Sequence, residues 1–200
     1  MQKAFNIALA LTWLRIAAIP LIVVVFMLPG YWPKPIAALI FTFAGLTDWL
    51  DGYVARKMNM QSKFGAFLDP VADKLMVATA LILLLWDAPN RTLPLFPWHD
   101  IALAVCGVII IGREIVISAL REWMAEMGER HQVAVSGIAK LKTIFQLVGL
   151  GAMLFTFPLF GIIPAYGIGF ALVLAAAVLT IWSMLLYLKA AWPHMSAESG

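Results

Sequence analysis

Apolar residues fall along this chain in six long runs. They cover about residues 8–28, 35–55, 68–86, 100–121, 141–158 and 164–189. Each approaches the roughly 20 residues a helix needs to cross a bilayer. None alternates strictly between apolar and polar, so the runs predict helices, not barrel strands. Breakers separate them: Pro29-Gly30 with Pro33 and Pro35, then Asn59 to Lys63, then Pro89, Pro94 and Pro97. Gly128 to Gln132 and Pro158 with Pro164 complete the set. The expected fold is all-α, an integral membrane protein of six transmembrane helices forming one domain over residues 1–200. Residues 1–7 are expected to include a short interfacial segment ahead of the first span. Lys3 followed by an apolar run resembles a signal peptide. Arg15 interrupts that run and no small-residue cleavage site follows, so the segment is expected to stay as the first helix.

Composition agrees with the pattern. Of 200 residues, 63% are hydrophobic and only 12% charged, and the mean hydropathy is +0.93. Soluble domains carry about a quarter charged residues. The single cysteine, Cys106, lies in an apolar run and reads as a small buried hydrophobe. The three histidines are scattered and suggest no histidine metal site. Methionines and tryptophans read as packing residues and interface anchors.

Charge orients the helices. Six spans place both termini on one side, and of the fourteen Lys and Arg all but Lys34 and Arg91 fall on that side. The positive-inside rule then puts the termini in the cytoplasm. The net charge of +3 is spread over loops at the membrane surface. It suits anionic lipid, not nucleic acid.

The chemistry concentrates between the second and third runs, in TDWLDGYVARKMNMQSKFGAFLDPVADKL (residues 47–75). Asp48 and Asp51 are three apart, and Asp69 and Asp73 four apart, so each pair shares a helix face. An aspartate in a membrane costs about 3 kcal/mol, and four together repel. Lys74 and Arg56 offset part of this, but divalent metal is the cheaper answer. Carboxylates are hard ligands that suit Mg²⁺, Mn²⁺ or Ca²⁺. Four on two facing helices can hold two ions about 3.5–4 Å apart, as in two-metal phosphoryl transfer. Gly52, Ala55 and Gly65 would let a ligand approach the backbone closely. Two plainer readings compete. Asp69 precedes Pro70 and can cap the third helix, and intramembrane acids often mark ion paths. The cap explains one aspartate of four. A transporter would place its acids near the midplane, and spans one, five and six contain none.

The series Asp48-x-x-Asp51-Gly52-x-x-Ala55-Arg56, eight residues, then Gly65-x-x-x-Asp69-x-x-x-Asp73 resembles the motif of the CDP-alcohol phosphatidyltransferase family. The likeness continues through REIVISALREWMAEMG, KLKT and AAAVLTIWSMLLYL. The opening NIALALTWLR is similar to the family's Asn-Ile-Pro-x-x-Leu-Thr-x-x-Arg, departing at Ala8. These stretches look like the family's bacterial branch that makes phosphatidylglycerophosphate. The resemblance implies a six-helix bundle, commonly a homodimer, in the inner (cytoplasmic) membrane. It implies transfer of a phosphatidyl group from CDP-diacylglycerol to sn-glycerol 3-phosphate, releasing CMP. Asp48, Asp51, Asp69 and Asp73 would hold two Mg²⁺ or Mn²⁺ ions, with Asp73 also the general base. Gly52, Ala55, Arg56 and Gly65 would take the nucleotide. The acceptor's phosphate needs cations, and the candidates are Arg113, then Lys140 and Lys142, then Arg121. Glu114 follows Arg113, but adjacent helical residues point apart, so the two are not an obvious pair; the plainer reading of Arg113 is an interhelical ion pair. Serine, inositol phosphate, choline or phosphatidylglycerol as acceptor, and an ion transporter, remain the alternatives.

Overall fold

The computed structural model describes residues 2–58, 63–91, 93–94, 96–126 and 137–197. Within these, the side chains of residues 2–10, 48–58, 63–67, 121, 125–126, 137–140 and 190–197 are outside the description. The described residues form six long helices, one per apolar run: α1 (Gln2–Met27), α2 (Pro33–Met58), α3 (Lys63–Asp87), α4 (His99–Glu126), α5 (Gly137–Phe155) and α6 (Ala165–Ala197). A 3₁₀ turn at Ala88–Asn90 follows α3. Among the described residues the only β pairing is an isolated bridge, Leu159 with Ile163.

The helices outrun their apolar cores. Among the described residues, the membrane-length stretches are His99–Met124 in α4 and Ala165–Lys189 in α6, with shorter apolar stretches at Leu11–Met27, Pro33–Thr47 and Leu141–Phe155. The excess at the C-terminal end of α2 and the N-terminal end of α3 is the aspartate-bearing segment. Residues 2–7 belong to α1, which runs unbroken to Met27.

Side-chain contacts fix the directions. Arg15 meets Asp73, Lys34 meets Asp87, and Lys142 meets Glu114. The early parts of α1, α3 and α5 therefore share one end of the bundle with the late parts of α2, α4 and α6. α5 packs on α6, α2 and α3, and α1 packs on α2 and α3. α5 gets close by lacking side chains. A Cβ on Gly169 would sit 2.6 Å from the carbonyl oxygen of Gly149, and one on Gly45 would sit 2.6 Å from Leu147 Cδ1. Without a hydrophobic drive between membrane helices, such small-residue contacts carry association. Phe41, Leu81, Leu103, Leu150 and Val173 form the buried middle, with Cys106 beside them.

The opposite end is tied by charge. Asp87 is 2% exposed. It accepts from Lys34 Nζ at 2.6 Å and from Arg91 Nη2 at 2.6 Å and Nε at 2.7 Å. The two cations that stand apart in the charge count are both engaged by this one acid. Trp32, Trp86 and Trp98 lie exposed near this end, and Trp13 and Trp182 towards the other, the placement of interfacial anchors.

Candidate active site

α3 carries the second aspartate pair well inside the helix. It begins at Lys63, so Asp69 is not a helix cap, and the capping expectation is overturned. Six residues, 63–68, precede Asp69 in the helix instead. Pro70 has no N–H to offer the carbonyl four residues back, so one helical bond is missing beside Asp69.

Both acids receive a donor from α1. Thr12 Oγ1 donates to Asp69 Oδ1 at 2.6 Å, and Arg15 Nη1 donates to Asp73 Oδ1 at 3.1 Å. Thr12 and Arg15 are 3% and 2% exposed, while the Asp73 side chain is 43% exposed. The donors are thus buried, and a carboxylate they hold opens outward. Thr12 and Arg15 lie three apart, and Asp69 and Asp73 four apart, so one face of α1 meets one face of α3.

Asp48 and Asp51 lie on α2, and their side chains are outside the described residues, as are those of Ala55 and Arg56 and the surroundings of Gly52 and Gly65. Thr47, just before Asp48, lines the same groove as Arg15, which holds Asp73. Asp48 is ten residues before the end of α2, and Asp73 ten after the start of α3, which is about 15 Å along each helix. Among the described residues no three His, Cys, Asp and Glu side chains converge as a metal site. The described half of the motif offers two carboxylates. Each has a protein donor on Oδ1, and a carboxylate has about four lone-pair positions. This all-oxygen set fits a hard divalent cation.

A second polar cluster links α4, α5 and α6. Arg113 Nη1 and Lys142 Nζ each lie 2.9 Å from Glu114 Oε1. Arg113 Nη2 is 3.5 Å from Ser183 Oγ, and the guanidinium carbon stands 5.6 Å from the Tyr187 ring centroid. Arg113 and Lys142 are buried. Arg113 and Glu114, no obvious pair by adjacency, are therefore paired after all. Both side chains are long enough to bend back past the angle between adjacent helical positions, and Lys142 on α5 draws Glu114 to the same place. Lys140 and Arg121 lie on α5 and α4, with side chains outside the described residues. Lys74, next to Asp73, donates to Ser118 Oγ, and Ser118 donates to the Glu114 carbonyl at 2.7 Å. A short polar chain thus links α3, at the residue after Asp73, to the backbone of Glu114 on α4.

An apolar groove of about 350 Å³ runs between α1 and α2 beside this end. Leu21, Ile36, Leu39 and Phe43 line its length, and Arg15 and Thr47 lie at the polar end.

Thr12, Arg15 and Glu114 were not singled out as site residues from sequence. Their signal is a polar or charged side chain inside an apolar run, which in a membrane protein marks a functional position.

The profile of the CDP-alcohol phosphatidyltransferase family matches residues 5–182. A CDP-diacylglycerol–glycerol-3-phosphate 3-phosphatidyltransferase of Salmonella choleraesuis (strain SC-B67) is 49% identical over 187 residues, 94% of this chain and 95% of its own. The protein of the same description from Pectobacterium atrosepticum is 48% identical over 190 residues, again 94% and 95%. Among solved structures, the apo phosphatidylinositol phosphate synthase of Mycobacterium tuberculosis superposes with a TM-score of 0.60 at 23% identity. The match covers 94% of this chain and 88% of that one, a likeness of fold. With the profile spanning most of its length and relatives identical at nearly half their positions, this chain belongs to the CDP-alcohol phosphatidyltransferase family.

Proposed function

We propose that this protein transfers the phosphatidyl group of CDP-diacylglycerol to sn-glycerol 3-phosphate, giving phosphatidylglycerophosphate and CMP. The observation that carries the reading is the near-full-length identity to relatives described by this reaction. It makes the chain an enzyme of phospholipid synthesis.

Asp48, Asp51, Asp69 and Asp73 are the residues that would hold two Mg²⁺ or Mn²⁺ ions. When bound, such ions neutralise pyrophosphate oxygens and stabilise a phosphate leaving group. Thr12 and Arg15 fix Asp69 and Asp73 from α1, and this preorganisation orients ligating carboxylates. Asp73, open on its outer side, takes the proton from the acceptor's attacking hydroxyl. That oxygen bonds to the phosphorus bearing diacylglycerol, and the bond from this phosphorus to the bridging oxygen of CMP breaks. Gly52, Ala55 and Gly65 give the cytidine nucleotide room near the backbone, and Arg56 meets its phosphate. Arg113 and Lys142, with Lys140 and Arg121, bind the acceptor's phosphate, arginine through paired hydrogen bonds. The groove between α1 and α2 starts at Arg15 and is apolar beyond it, so it suits an acyl chain of the donor lipid.

The same proposal has six spans, a homodimer, and an inner-membrane location with the site and both termini facing the cytoplasm. The gathering of basic residues at the site end supports that sidedness.

The test uses purified protein, CDP-diacylglycerol, Mg²⁺ and radiolabelled glycerol 3-phosphate. Label should enter the lipid phase only with all components present, and Asp73→Asn should abolish it. CMP release with another alcohol and no labelled lipid would keep the family and refute the acceptor.

A further inference from the structure

The proposed reaction leaves one charged member of the basic cluster without a task. Glu114 Oε1 receives both Arg113 Nη1 and Lys142 Nζ, each at 2.9 Å. The two cations are 7% and 3% exposed, whereas the Glu114 side chain keeps 30% of its surface. Buried cations are costly unless paired. A cationic pocket built for a ligand must therefore be neutralised by something when the ligand is away. A fully buried partner has nowhere to go, but one that keeps part of its surface exposed can leave.

We propose that Glu114 is an internal stand-in for the acceptor's phosphate. In the acceptor-free protein its carboxylate holds Arg113 and Lys142, and an incoming phosphomonoester dianion displaces it from both. This rests on the reading of Arg113 and Lys142 as acceptor-phosphate residues. A phosphate brings more charge and three acceptor oxygens, so it can meet the guanidinium in parallel hydrogen bonds and still reach the ammonium. Leaving Glu114 in place would set two anions against one pair of cations. The exchange also selects. A neutral alcohol offers nothing to compete with a carboxylate already seated between two cations, so the site discriminates through a competing internal group as well as through attraction. The ligand class is thereby an alcohol bearing a phosphate monoester.

The sign of one substitution separates this role from that of a brace. If Glu114 competes, Glu114→Gln removes the competitor. KM for glycerol 3-phosphate and the inhibition constant of inorganic phosphate should then both fall, by about tenfold, equivalent to about 1.4 kcal/mol. KM for CDP-diacylglycerol should not move. Glu114→Asp, one methylene shorter, should shift the acceptor constants in the same direction by less. If Glu114 merely braces the cations, both substitutions raise them, and the proposal is overturned. Should neither variant fold, a structure of the wild-type protein with glycerol 3-phosphate decides. Glu114 Oε1 is expected beyond about 4 Å, the ion-pair limit, from both nitrogens. Contacts persisting at 2.9 Å with the acceptor bound would refute the idea. Arg113→Ala and Lys142→Ala examine the underlying reading. Unchanged acceptor KM in both overturns that reading itself. A raised KM in them together with a raised KM in Glu114→Gln overturns only the stand-in.

Discussion

Asp69 and Asp73 do not stand alone on α3; each is held by a buried donor from α1. The Thr12 hydroxyl is the simpler to probe, because it carries no charge and Val replaces it with nearly the same shape. Partners that orient metal-ligating carboxylates are worth about 10–100-fold in metal affinity or activity. Thr12→Val is therefore expected to raise the Mg²⁺ concentration for half-maximal activity by about tenfold. Titrating Mg²⁺ against initial rate measures it, and an unchanged half-point would mean that Thr12 does not orient a ligand. The spacing of Asp69 and Asp73 was legible in the sequence, since four residues along a helix place them on one face. Their partners were not, because Thr12 and Arg15 lie 57 and 58 residues away along the chain. No local period links positions so far apart. Arg113 and Glu114 show the opposite limit: adjacency argued against a pair, and a third residue from α5 brought them together.

At the scale of elements, the apolar runs located each of the six long helices among the described residues, because unpaired backbone is costly in apolar surroundings and leaves a long apolar run little choice. They located the ends less well. α2 runs on to Met58 and α3 starts at Lys63, so both carry helix into the charged motif, past the point where hydropathy falls. What periodicity could not supply is which helices touch. The Gly149–Gly169 contact sets the approach of α5 to α6, and each Cβ would meet the other's carbonyl oxygen, at 2.9 and 2.6 Å. Backbone cannot rotate away as a side chain can. Gly169→Ala should therefore force the helices apart and cost about 1–3 kcal/mol, read as a lower midpoint of thermal unfolding in detergent. The Asp87 cluster ties α2, α3 and the turn after α3 in a different currency. Asp87→Asn leaves Lys34 and Arg91 without their carboxylate, and breaking a buried pair costs about 3–5 kcal/mol. It lies at the end of the bundle away from Asp73. Stability should fall while KM for glycerol 3-phosphate, assayed where the variant is folded, stays at the wild-type value. A shifted acceptor KM would mean that the two ends are coupled.

For the whole molecule, the two ends handle charge by different means. The far end holds Lys34 and Arg91 against one buried acid, so both of its cations are paired within the protein. The site end gathers the remaining basic residues, together with substrates that are themselves polyanions in the proposed reaction. A chain inserted with its basic end inward keeps that end in the compartment where a soluble phosphate ester and a nucleotide product are handled. The inverse orientation would carry many cationic side chains across the bilayer, against the positive-inside bias. The prediction can be checked with single cysteines in a protein whose native Cys106 has been replaced by Ala. Asn90, exposed on the turn after α3, and Glu122, exposed near the end of α4, mark the two ends. In intact cells a membrane-impermeant maleimide should label Asn90→Cys and leave Glu122→Cys unlabelled until the membrane is opened. The reverse pattern would put the aspartates outside, away from the nucleotide the reaction releases, and would sink the cytoplasmic placement of the site.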